Sequence, residues 1–181
     1  MKILIAYAAL ISAFALQGAG CIIGSGITPH TYTDASYQRA ESFSGAAKDF
    51  IKNYGELVRS LGKSYELPPE LILAVAMYES GFGQSKLSLY ARNFHGIKAG
   101  DNWQGLVYIS PAGTRWRAWN NTNEAFEGFC QYICERVPRF IGAPVSPTQF
   151  AHAYGCANPK HYAADIEKII QRYRLKELYQ N

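Results

Sequence analysis

Residues 73–98 read LAVAMYESGFGQSKLSLYARNFHGIK, and this stretch decides the fold. Apolar Leu71, Ile72, Val75 and Ala76 fall at helical spacing, which predicts a helix whose last turn holds Glu79. Gly81 and Gly83 follow the acid and stop that helix just beyond it. Glu79 would then face a cleft from a rigid base. Partial burial there disfavours the carboxylate, raises its pKa and keeps a proton available near neutral pH. The competing reading is an exposed helix-end glutamate with no chemical role, since perturbed acids mark sites only statistically.

Working outward, Ala47, Phe50, Ile51, Tyr54, Leu57, Val58 and Leu61 recur at three and four, predicting an amphipathic helix from Ser44 to about Lys63. Pro68 and Pro69 open the helix that carries the acid, where a missing N–H is harmless. Asn93, Gly96 and Lys98 are expected to shape the turn into a small β lobe. Val107, Tyr108, Ile109, Trp116 and Trp119 around Pro111-Ala112-Gly113 predict a short hairpin there. Asn121 with Glu124 forms a capping pair for a helix that ends before Pro138, and another helix starts after Ser146-Pro147. A single last helix is predicted from Tyr162 to Leu178. The sum is an α+β domain, mainly helical, with one hairpin beside a cleft.

A chain of 181 residues with 48% hydrophobic residues suits one domain plus a leader. Its 13 tyrosines offer many stacking faces, and the net charge of +4 comes without a Lys/Arg cluster dense enough for nucleic acid. Residues 1–20 have the layout of a secretory signal peptide: Lys2, an apolar run from Ile3 to Leu16, then Gly18, Ala19 and Gly20. Export to the periplasm, the cell envelope or the medium is expected. Gly-Ala-Gly before Cys21 resembles a lipoprotein processing site, which would make Cys21 a lipidated membrane tether. Residues 21–43 read as a tether without periodicity, and 44–181 as the folded domain. In an oxidising compartment a disulfide is expected between Cys156 and either Cys130 or Cys134. Two sharper readings, a zinc site of Cys130, Cys134, Cys156 and His152 or a nucleophilic cysteine with His152 or His161 as base, match no signature spacing closely. No metal or organic cofactor is expected.

YESGFGQSKL around Glu79, NFHGIK over 93–98, NWQG over 102–105 and RWRAW over 115–119 resemble, in order and spacing, the bacterial endo-β-N-acetylglucosaminidases of the lysozyme superfamily. That family includes the hydrolase module of the flagellar rod protein and many autolysins. The resemblance covers most of residues 46–175. Near the C-terminus, Tyr154-Gly155, Asn158-Pro159 and His161-Tyr162-Ala163 are similar to the family's Tyr-Ala-Thr-Asp-Pro-x-Tyr-Ala segment, lengthened and with Asn for Asp. The resemblance implies a lysozyme-like domain acting on peptidoglycan glycan strands, with Glu79 as general acid and Tyr154 as a catalytic residue next to the reacting sugar. Phe82, Phe94 and Trp103 would supply apolar walls for sugar rings or pack in the core, and Tyr162 joins this set with a structural role as the stronger reading.

One departure matters. Family members often bring a second carboxylate on the hairpin, yet positions 102–123 hold no Asp or Glu. Asp101 or Glu124 would have to reach the cleft from the hairpin's ends, or the substrate's own 2-acetamido oxygen would act in place of a protein group. Three functions follow from this: a hydrolase cutting between N-acetylglucosamine and N-acetylmuramic acid, a lytic transglycosylase or muramidase, and a non-catalytic wall-binding assembly protein.

Overall fold

The computed structural model describes residues 45–180; the expected signal peptide, Cys21 and the whole tether lie outside them. Helix α1 (Gly45–Tyr65) buries Phe50, Ile51 and Val58 against α2 (Pro69–Ser80). In α2 every residue from Leu71 to Met77 is buried, so it is the central helix and its apolar character runs all round. Pro69 begins it, and Gly81 ends it with φ 55° and ψ 52°, a left-handed cap that returns its N–H to the last carbonyls. No helix among the described residues is long and apolar enough to cross a membrane.

A six-residue helix α3 (Lys86–Ala91), capped by Ser85, leads to a loop that ends in the hairpin β1 (Val107–Ile109) and β2 (Arg115–Arg117). The strands pair antiparallel with Tyr108 opposite Trp116. Asn93, buried, ties loop to lobe: its Nδ2 donates to the Ile97 and Arg117 carbonyls at 2.8 and 2.9 Å, and its Oδ1 accepts from Ile97 N at 3.0 Å. Helix α4 (Thr122–Arg136) then packs on α1, with Asn121 and Glu124 forming the expected cap. Helices α5 (Pro147–Tyr154), α6 (Pro159–Arg172) and α7 (Leu175–Tyr179) close the core, with α6 lying against α2.

The fold is the expected α+β one, with two differences in detail. The last helix is two helices, because Arg174 takes a left-handed conformation (φ 49°) and breaks it between Tyr173 and Leu175. The expected bridge from Cys156 is not formed: Cys130, Cys134 and Cys156 are free thiols. Cys130 is fully buried in the core, Cys134 points its thiol toward the Tyr65 carbonyl, and Cys156 lies past α5, so the three serve different surroundings. Burial pushes Cys134 up to about 11 and also raises Cys130 and Cys156, which leaves none suited to be a thiolate nucleophile.

Candidate active site

Glu79 sits in the last turn of α2, half-buried, where the left-handed turn of Gly81 carries the chain away and leaves its carboxyl uncovered. Ser80 pins that turn by donating to the Ala76 carbonyl at 2.5 Å and accepting from Gly83 N at 2.7 Å. Burial raises the pKa of Glu79, and a hydrogen bond from the Tyr162 hydroxyl to Oε1 at 2.9 Å opposes the rise in part. Gly96 approaches the other oxygen. A Cβ there would stand 3.1 Å from Oε2, and its φ of 65° is one that L side chains rarely adopt.

Two tyrosines reach this corner from different helices with different partners. Tyr162, on the first turn of α6, bonds the acid itself, and its ring meets Tyr78 edge-on at 5.1 Å. Tyr154, at the end of α5, donates to the carbonyl of His95, the residue before Gly96. It therefore holds the backbone that lies beside the acid. The His95 ring is buried, stacked on Phe129 at 3.8 Å and 7°, and burial lowers its pKa to about 3. Its Nε2 is buried without a hydrogen-bond partner.

Of the aromatic residues expected to wall the cleft, Phe94 is 5% exposed and its ring packs among Phe50, Tyr54 and Phe126, an interior position. Phe82 is half-buried, edge-on to Tyr173 and packed against the core. Trp103 is different: with Arg117 and Tyr132 it lines an open cavity of about 540 Å³ between the hairpin and α4. The two candidate second acids, Asp101 and Glu124, lie on that same cavity, which Glu79 does not line. Glu124 is occupied as a cap, accepting from Asn120 N and Nδ2 at 3.1 Å and from Asn121 Nδ2 at 2.7 Å. Among the described residues no group of three or more His, Cys, Asp or Glu is arranged to hold a metal. Arg117, Tyr132 and the close approach of Gly96 were not singled out by sequence reasoning. The alternation in RWRAW, which puts Arg117 and Trp116 on opposite faces of β2, is the signal that could have found the first.

A mainly helical body with a two-stranded lobe defines the class of fold, α+β, and at the end of its central helix stands a carboxyl whose pKa is raised by burial. Residues 55–175 match the family described as mannosyl-glycoprotein endo-beta-N-acetylglucosaminidase, and the chain belongs to this glucosaminidase family. Peptidoglycan hydrolase FlgJ of Escherichia coli K12 is 26% identical over an alignment covering 74% of this chain and 49% of the relative; the chain spans about half the length of the curated relatives it matches. The glycoside hydrolase domain of Salmonella typhimurium FlgJ superposes with a TM-score of 0.59 at 22% identity, covering 72% of this chain and 90% of that one. The catalytic domain of the autolysin Auto from Listeria monocytogenes gives 0.59 at 16% identity, covering 82% and 98%. At these identities the two structures bear on the fold.

Proposed function

We propose that this chain hydrolyses the β-1,4 bond between N-acetylglucosamine and N-acetylmuramic acid in peptidoglycan, with Glu79 as general acid. The observation that carries the reading is the half-buried Glu79 carboxyl, raised in pKa and held by Tyr162 opposite Gly96. Its proton goes to the glycosidic oxygen as the C1–O bond breaks, and the leaving sugar departs as an alcohol. The acetamido oxygen of the reacting N-acetylglucosamine attacks C1 and forms a cyclic oxazolinium. Water, giving its proton to the Glu79 carboxylate, then opens that ring and regenerates the acid. Substrate assistance is favoured because Asp101 and Glu124 face a cavity that Glu79 does not line and Glu124 is engaged in capping. Tyr154 serves as a positioning residue through the His95 carbonyl, and Trp103 as a wall for the strand.

The relatives named as peptidoglycan hydrolases support the substrate, and an envelope location follows from it. Export by residues 1–20 and a tether through Cys21 complete the proposal.

Mass spectrometry of fragments released from purified peptidoglycan tests it, with Glu79→Gln run beside the wild type. Reducing N-acetylglucosamine ends are expected from the wild type, with at least a ~10³-fold loss in the variant. Anhydro-muramyl ends would assign a lytic transglycosylase. No release by a folded wild type would assign a binding role.

A further inference from the structure

We propose that the cavity between the hairpin and α4 binds a free α-amino-acid head group, ammonium and carboxylate together, carried on the peptide stems of the wall polymer. This rests on the peptidoglycan reading above. Arg117 projects from β2 into the cavity with its guanidinium carbon 4.2 Å from the Trp103 ring centre and 5.2 Å from that of Tyr132. Among the described residues its side chain forms no hydrogen bond or ion pair, and its Nε is buried without a partner. Aromatic rings at its faces leave the N–H edge as the part able to bind, and that planar fork matches a carboxylate.

The same cavity is lined by four carboxylates, which a purely anionic ligand would meet at a cost. Two are taken: Glu124 by Asn120 and Asn121, and Glu127 by the Tyr65 hydroxyl at 2.9 Å. Asp101 and Glu135 accept no hydrogen bond and form no contact ion pair among the described residues, Glu135 meeting Arg117 only by longer-range charge attraction, so both can receive an ammonium. A purely cationic ligand would instead meet Arg117. A zwitterion answers both, and about 540 Å³ is ample for an amino-acid side chain. The location also fits. Tyr132 bridges the cavity to the acid, its ring 6.3 Å from that of Tyr154, which holds the backbone beside Glu79. A strand lying across Glu79 can send a stem there while its sugars stay at the acid.

The experiment compares kcat/KM on three substrates: intact peptide-bearing strands, strands stripped of stems, and strands whose stem amines are acetylated. Wild type is expected to prefer the intact strands by about tenfold, the scale of one charge-assisted hydrogen bond. That preference should shrink toward unity on acetylation and in Arg117→Gln and Glu135→Gln. Equal kcat/KM for intact and stripped strands in the wild type overturns the inference, as does an undiminished preference in both variants. Should Arg117→Gln fail to fold, Glu135→Gln, on the surface of α4, decides the matter. Calorimetric titration of released stem peptide into the Glu79→Gln protein reads the pocket without turnover. Binding that acetylation of the amine abolishes supports the pocket even if no strand is cut, and absence of binding overturns it even if strands are cut.

Discussion

The Tyr162 phenol favours the charged form of Glu79, while burial favours the neutral one. In the proposed mechanism the protonated acid is the active form, so turnover should fall as pH rises through the raised pKa of Glu79. Tyr162→Phe removes the group that lowers that pKa, so the alkaline limb of the kcat profile should move to higher pH. The loss of a positioning contact should cut kcat by about tenfold as well. A pH–rate profile of both proteins checks this, and a limb that stays in place would belong to another group. The place of Glu79 in the last turn of a buried helix was legible in the sequence, because the apolar run before it and the glycines after it bound that helix. The partners of the two tyrosines were not. The family resemblance implied a place for Tyr154 beside the reacting sugar and a mainly structural role for Tyr162, but which hydroxyl meets a carboxylate and which a backbone carbonyl depends on how α5 and α6 cross α2. Phe94 was open for a similar reason, since an aromatic residue beside a glycine turn can face either way and here the core of α1 and α4 takes its ring.

Among the elements, the hairpin is held to its loop by the Asn93 side chain together with backbone bonds from Ala99 N to the Arg115 carbonyl and from Arg117 N to the Ile97 carbonyl. Asn93→Ala would remove two buried hydrogen bonds within the loop and one to the Arg117 carbonyl of β2, at a cost of about 3 kcal/mol. Urea unfolding should show the fall, and the activity loss should exceed the unfolded fraction because Gly96 lies on the released loop. The long elements were readable: α1 and α4 carry periodic apolar faces, α2 is an apolar run opened by Pro69 and closed by Gly81, and Pro111-Ala112-Gly113 marks the hairpin turn. Two features escaped. Helix α3 has only six residues, too few for a period to show, and exists because Ser85 caps it and Arg92 closes it in a left-handed turn. The break before α7 falls at an arginine, a residue type that does not announce positive φ.

Across the whole molecule, the buried His95 links stability to acidity. Its pKa is about 3 in the fold against about 6.5 in an open chain, so below pH 6.5 the unfolded state takes up a proton that the folded state refuses. The stability it lends is complete above pH 6.5 and drains away as pH falls toward 3. His95→Phe, which keeps the stack on Phe129 and leaves the carbonyl that holds Tyr154 in place, should flatten this part of the stability–pH curve and raise Tm at pH 4.5. Thermal melts of both proteins from pH 4 to 8 would show it, and parallel curves would place the acid sensitivity elsewhere.

Helix α2 has a direction, and the acid lies at its carboxyl-terminal end. The aligned peptide dipoles gather partial negative charge there, roughly half an elementary charge, and the last turn carries no basic side chain to offset it. The backbone therefore resists ionisation of Glu79 in its own right, and no side-chain replacement can delete that contribution. Moving the same carboxyl to the first turn of a helix would reverse it, so an enzyme built by transplanting this acid would have to transplant the polarity of its helix too.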